Sequence, residues 1–405
     1  MRVPDGYVDW ATKGLWLPGG RMPDAELIAA GHDIFTGPFS FPLLTLNRDA
    51  LAHNISTMAG YAARHGMRLA PHGKTTMAPA LYAAQLAAGA WGITLATANQ
   101  VLVARSLGVP RIVLANELFE PAALRWLAAE RERDPDFEFL CWIDSAEGIE
   151  AIRAALADVP GDRDFTVLVE LGHADGRTGV RTVPDAIALA RTASAVPRLS
   201  VAGVAGYEGG LPTVDAATDY LAALRDAAIG VADLAAGPVL VSAGGSAYFD
   251  AVADVLAADW QPAHTVLLRS GSYVTHDDGF YAEHTPFNRT GEATLRPAFE
   301  LWARVVSTPE PGLALVAMGK RDAPFDEGLP VPRLLRRNDG SVEDGTALRV
   351  TKLNDQHAYL SGPSPRPGDL VAFGISHPCT AFDKWRVIPV VDGDHRVVDL
   401  VHTYF

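Results

Sequence analysis

The sequence predicts an α/β chain, a (βα)8 barrel of the TIM type followed by an all-β domain. Three observations carry this. From about residue 66, short apolar runs alternate with Ala-rich helical stretches, with roughly 25–35 residues per repeat. The count reaches eight runs with seven helical patterns between them, which is the count of a closed barrel. After about residue 295 the helical rhythm stops, and short strand-like runs separated by Gly/Pro/Asp turns take over. A doubly wound open sheet is the structural alternative for the repeating part.

In order along the chain, residues 1–40 are rich in Pro and Gly and read as an extension that packs on the β domain. Residues 41–47 are extended in character, and Asn47 suits the cap of a helix over 48–65. The barrel strands fall at 67–71, 92–96, 111–115, 137–143, 165–171, 199–206, 239–243 and 264–269. Helical patterns include 121–133, 145–157, 184–195, 214–235 and 246–258. This places a barrel at 41–294 and a C-terminal β domain at 295–405, with strand candidates from 302–306 to 397–401.

Composition narrows the function. A hydrophobic fraction of 48% fills a substantial core. A formal charge of -14 argues against nucleic acid or an anionic membrane as partner. Two cysteines, Cys141 and Cys379, imply no disulfide framework and point to a reducing cytoplasm. Residues 75–104 carry no charge, but Pro79, Gln85, Asn99 and Gln100 interrupt them, so they read as a buried helix and strand rather than a membrane span. No G-x-G-x-x-G follows a strand, and Walker A, G-x-S-x-G and H-E-x-x-H motifs are absent.

The chemistry-bearing residues gather at strand ends. Lys74 falls just past the first barrel strand, at the C-terminal mouth where barrel enzymes place reactive groups. It reads either as a solvated surface charge or as a Schiff-base lysine for pyridoxal 5'-phosphate. His72 shares its face if the strand continues. The seventh strand ends in Ser242-Ala243-Gly244-Gly245-Ser246 and runs into a helical pattern, and the eighth ends in Arg269-Ser270-Gly271-Ser272. Barrel phosphate sites form at these two loops, so Gly244, Gly245, Ser246, Ser270, Gly271 and Ser272 are the candidate phosphate cradle. Arg177, in a Gly-rich loop after the fifth strand, and Tyr207, at the end of the sixth, are further candidates for cofactor contact. Arg177 equally suits a surface ion pair, and Tyr207 the cap of the core.

Far downstream stands His377-Pro378-Cys379. Proline biases His377 toward extended backbone, and residues i and i+2 of an extended segment share a face. Nitrogen and sulfur side by side suit Zn2+ with open coordination positions, although an isolated His-x-Cys also arises by chance. Asp383 is the candidate partner that orients His377. Cys141 lies mid-strand and reads as packing.

Pro71-His72-Gly73-Lys74-Thr75 and Ser376-His377-Pro378-Cys379-Thr380-Ala381-Phe382-Asp383-Lys384-Trp385 resemble the lysine and zinc segments of the D-serine dehydratase and D-threonine aldolase group. That group lies within the alanine-racemase-like, fold type III pyridoxal-phosphate enzymes, and the resemblance covers about residues 40–395. It implies a barrel that holds the cofactor, a β domain with the metal ligands, and a homodimer. It also implies that Arg177 bonds the cofactor's phenolic oxygen. The aldolase branch usually carries an aspartate where this chain has Cys379, so the resemblance tilts toward dehydration. The expected activity is conversion of a D-3-hydroxy amino acid (D-serine, D-threonine or a 3-hydroxyaspartate) to a 2-oxo acid and ammonia. Retro-aldol cleavage to glycine and an aldehyde is the alternative, and a non-catalytic pyridoxal-phosphate carrier is the second.

Overall fold

The computed structural model describes residues 1–363 and 365–405, which form two compact units. The first comprises residues 1–2, 58–74 and 82–271; the second comprises 3–57, 75–81 and 272–405. This division differs from the three consecutive segments expected from the sequence. Residues 41–57 and 272–294 group with the β-rich unit rather than with the barrel.

The first unit holds eight parallel strands: β1 Arg68–Leu69, β2 Ile93–Leu95, β3 Arg111–Glu117, β4 Glu138–Ile143, β5 Phe165–Glu170, β6 Leu199–Ala205, β7 Val239–Ala243 and β8 His264–Leu268. Each pairs with its neighbour in sequence from β2 to β8, and β8 pairs with β1. Between β1 and β2 the Trp91 N–H donates to Leu69 O (2.7 Å) and the Thr94 N–H to Pro71 O (2.9 Å), which closes the barrel. Helices over Pro121–Arg133, Ala146–Ala157, Val183–Ser194 and Val214–Val231 cover the outside. Three of them start at a hydroxyl cap: Ser145, Thr182 and Thr213 accept from the amide three residues on.

The barrel interior is packed. Ala70, Val113, Leu140, Trp142, Leu168, Ala205 and Leu267 form one buried cluster. Strand residues two apart share a face. Extending these rows toward the C-terminal mouth therefore delivers Glu117, Asp144, Glu170 and Arg269 to the inner side. An apolar core thus carries a layer of ionisable side chains at one end. Cys141 is buried within β4, where burial pushes its thiol far above the usual range.

In the second unit, Leu43–Asn47 pairs antiparallel with Phe299–Glu310 and parallel with Val387–Val391. Phe299–Glu310 also pairs with Leu370–Gly374 and Leu313–Val316. The expected strand at 41–47 therefore belongs to this β structure. Residues 1–40 contribute the short strands Tyr7–Asp9 and Arg21–Pro23 and the helix Asp24–Ala30. Lys13 fixes part of this segment: its Nζ lies 2.7 Å from the buried Asp322 carboxylate and 3.9 Å from the centroid of the Trp385 ring. No helix among the described residues is long and apolar enough to cross a membrane.

Candidate functional site

Lys74 lies in a short 3-10 turn, Gly73–Thr75, after a strand only two residues long. The strand does not continue through His72, so alternation does not place His72 and Lys74 on one face. The Tyr82 hydroxyl donates to Gly73 O (2.8 Å) and holds the turn. His72 bridges to Thr94, and its Nδ1 is buried without a hydrogen-bond partner. Burial first, then the positive charges of Lys74, Arg269 and Arg177, drive its pKa well below the usual imidazole value. Three cations thus act on one neutral ring at the barrel mouth.

Arg269 is buried and fully engaged. Its guanidinium donates to Ser242 Oγ and Gly206 O, both at 2.7 Å. The carboxylates of Glu208 and Glu170 bear on it electrostatically. Arg177 is exposed and lies 4.6 Å from the centroid of the Tyr207 ring, so these two predicted residues are together. They line a cavity of about 220 Å³ with Glu170, Leu171 and Thr178. The loop that carries Arg177 is clamped by Arg181, which donates to the carbonyls of Gly176, Arg177, Thr178 and Gly179. Asp144 Oδ2 accepts from the Gly179 N–H (3.1 Å).

The glycine turn after β7 departs from expectation. It does not run straight into a helix, because the helix Phe249–Leu256 starts only after Ser246, Ala247 and Tyr248. Gly244 holds φ +100°, a conformation that favours glycine. Its N–H and that of Gly245 donate to the buried Glu208 carboxylate, at 3.1 and 2.6 Å. The turn is therefore built to clasp an anion, and a protein carboxylate holds it. Ser270 Oγ donates to Gly245 O (2.9 Å), which ties the two loops together. A Cβ on Gly271 would meet His72 O at 2.5 Å, so this close approach requires glycine.

The second unit carries the other candidate group. His377 is extended (φ −154°, ψ 119°), but Pro378–Thr380 forms a 3-10 turn, so Cys379 does not continue an extended segment. The His377 ring and the Cys379 thiol nevertheless lie close enough to interact directly. Asp326, not Asp383, orients the imidazole: its Oδ2 lies 2.8 Å from His377 Nδ1. Burial opposes charging of the ring, but Cys379 and Asp326 together outweigh it and lift His377 to about 9. Phe280 and Tyr281 flank the imidazole, with centroids at 6.2 and 5.9 Å. The Cys379 sulfur lies 3.5 Å from Ser272 Oγ and 4.0 Å from Thr75 Oγ1. Ser272, expected in a phosphate cradle, thus has its hydroxyl on the thiol.

The donor chemistry fits a divalent metal with open positions. One thiol and one imidazole whose far nitrogen faces a carboxylate make an outer-sphere-supported pair. Among the described residues no third His, Cys, Asp or Glu completes the group. The barrel mouth fits an anionic, phosphate-bearing carbonyl cofactor by charge, through Lys74, Arg177 and Arg269. Gly244, Gly245, Ser246, Ser270 and Gly271 are the candidate phosphate contacts on this unit, with the Gly244 and Gly245 amides facing Glu208.

Sequence reasoning missed Glu117, Glu170, Glu208, Arg269 and Asp326. The signal for Glu117 and Glu170 was present as alternation from Val113 and Leu168. Asp326 had no such signal, because it lies in an irregular segment.

The family model "Alanine racemase, N-terminal domain" matches residues 46–275, and "Putative serine dehydratase domain" matches residues 298–391. A 3-hydroxy-D-aspartate aldolase of Paracoccus denitrificans (strain Pd 1222) is 28% identical over 79% of this chain and 84% of its own length. A D-threo-3-hydroxyaspartate dehydratase of Delftia sp. (strain HT23) is 32% identical, over 37% of this chain and 39% of its own. The crystal structure of D-threonine aldolase from Filomicrobium marinum superposes with a TM-score of 0.76 at 24% identity. It covers 90% of this chain and 95% of that one.

Proposed function

As the chain belongs to the alanine racemase N-terminal-domain family, we propose that it is a pyridoxal-phosphate- and zinc-dependent dehydratase of a D-3-hydroxy amino acid. It releases a 2-oxo acid and ammonia. The observation that carries this reading is the adjacent His377–Cys379 pair with Asp326 behind the imidazole. The matching relatives are lyases of D-hydroxy amino acids, which supports the substrate class.

Lys74 is the residue that would hold the cofactor covalently. Its Nζ, once released, is the base that takes the α-proton. Bound cofactor supplies an electron sink for the α-carbon, and bound metal supplies Lewis acidity at the β-oxygen. His72, kept neutral by burial and by the Lys74, Arg269 and Arg177 charges, adds no competing cation beside the lysine. Arg177 offers N–H groups to a cofactor oxygen, and its stacking on Tyr207 restricts its swing. His377 and Cys379 would ligate the metal, and Asp326 fixes which imidazole nitrogen faces it. The reading further includes a homodimer, on the family resemblance, and a cytoplasmic location, on the sparse cysteine usage.

Retro-aldol cleavage is the second reading, favoured by the aldolase relatives that align over more of the chain than the dehydratase does. Separate assays for 2-oxo acid and aldehyde across D- and L-3-hydroxy amino acids decide between them. The dehydratase reading expects 2-oxo acid from D-substrates only. Glycine with an aldehyde as the main products overturns it, and no turnover of any D-substrate overturns both.

A further inference from the structure

Glu117 ends β3 and Glu170 ends β5, with β4 between them. Both continue interior rows of the barrel. Their carboxyl groups lie close enough to act on each other. Two ionised carboxylates held together in a buried place repel, which favours a proton on one of them. Two oxygens remain buried without a partner, Glu117 Oε1 and Glu170 Oε2. Glu170 is 8% exposed and lines the cavity that also contains Arg177 and Tyr207.

The surroundings explain the retained proton. Burial, then Glu170, then Asp144 just after β4 all raise the Glu117 pKa. Cys141 of β4 lies within reach of the Glu117 charge. Arg269, just after β8, and Tyr220 of the helix Val214–Val231 lie within reach of Glu170. Arg269 is already engaged by Ser242 and Gly206, as described above. Buried acceptor oxygens without a donor lose their hydration uncompensated. A pair with one net negative charge and two unused acceptors is complementary to a cation that carries N–H groups.

We propose that Glu117 and Glu170 share one proton while no cation is bound, and that the pair is the docking point for a cationic N–H group, which displaces that proton. The step balances: one carboxyl O–H bond breaks, the proton passes to solvent, and the two carboxylates accept from the arriving N–H donor. That donor is either the protonated ring nitrogen of the cofactor or the ammonium group of an amino-acid ligand. Only this choice of cation rests on the proposed function; the shared proton does not.

Infrared spectroscopy of the purified protein tests it. Wild-type protein without cofactor should show a protonated-carboxyl band near neutral pH, absent from both Glu117→Gln and Glu170→Gln. The substitutions keep shape, and circular dichroism checks the fold. Should a variant fail to fold, titration of the wild-type band replaces it, and the band should vanish by about pH 10. Bleaching of the band on addition of pyridoxal phosphate assigns the cation to the cofactor ring. Bleaching only when D-alanine is added to the loaded enzyme assigns it to the ligand ammonium. The proposal is overturned by a missing band at neutral pH, by persistence of the band in both variants, or by a band that neither addition changes. Failure of the product assays leaves the band intact, so the two readings fail separately.

Discussion

The two units position their chemical groups by different means. In the barrel, Glu117, Glu170 and Arg269 stand at the ends of paired strands, and each is aimed by the same two-residue alternation that packs Val113, Leu168 and Leu267. In the β-rich unit, Cys379 lies on a 3-10 turn with the extended His377 just before it, and the two are oriented by groups remote in sequence: Asp326, Ser272 and Thr75. Regular pairing places side chains cheaply and repeatedly. An irregular turn needs side-chain partners to define it, and each of these partners becomes a point where function can be altered alone.

The sharpest way to break the comparison lies in the barrel. Lys74→Ala should lose the visible cofactor absorption and at least about a thousand-fold in turnover. Persistence of the colour would refute the lysine assignment. In the β-rich unit, Asp326→Asn should weaken metal affinity by about 10–100-fold while the visible absorption persists, measured by competition with a chelator. Cys379→Asp should move the product ratio toward aldehyde by about tenfold or more, read by the paired product assays.

The smallest effect concerns stability. The raised Glu117 pKa means that the folded chain binds this proton more tightly than the unfolded chain does. Its contribution is therefore fully present below the ordinary glutamate value and is lost as pH rises above it. Glu117→Gln removes that dependence. Between about pH 5 and pH 9, the Tm of the variant should decline less than that of the wild type, by on the order of a few degrees. Parallel Tm–pH curves would show that the proton is not held there.

The same contrast explains what was legible in the sequence. The strand count and the helix Pro121–Arg133 could be read because apolar periodicity reflects burial directly. Lys74, Arg177 and Tyr207 could be placed at the mouth because they follow strands. The division near residue 57 could not be read, since Leu43–Asn47 is an apolar strand whichever sheet receives it. The partner of the Gly244–Gly245 turn was not legible for a related reason. Glycines show that a backbone can approach an anion, but not that Glu208 faces it. The sequence offers only Asp383 as a partner of His377 and gives no sign of Asp326, because proximity in sequence is a poor guide where the backbone is irregular.

The seam of the barrel has a consequence for how ligand occupancy and cohesion are linked. Lys74 follows β1, the shortest strand, and the closure there rests on the Trp91 and Thr94 amides. A cylinder with one thin joint opens at that joint first, so amide exchange should be fastest at these two positions. A cofactor anchored on Lys74 would act as a rivet beside the joint. The protection it gives should spread around the whole ring of strands rather than remain local to the lysine.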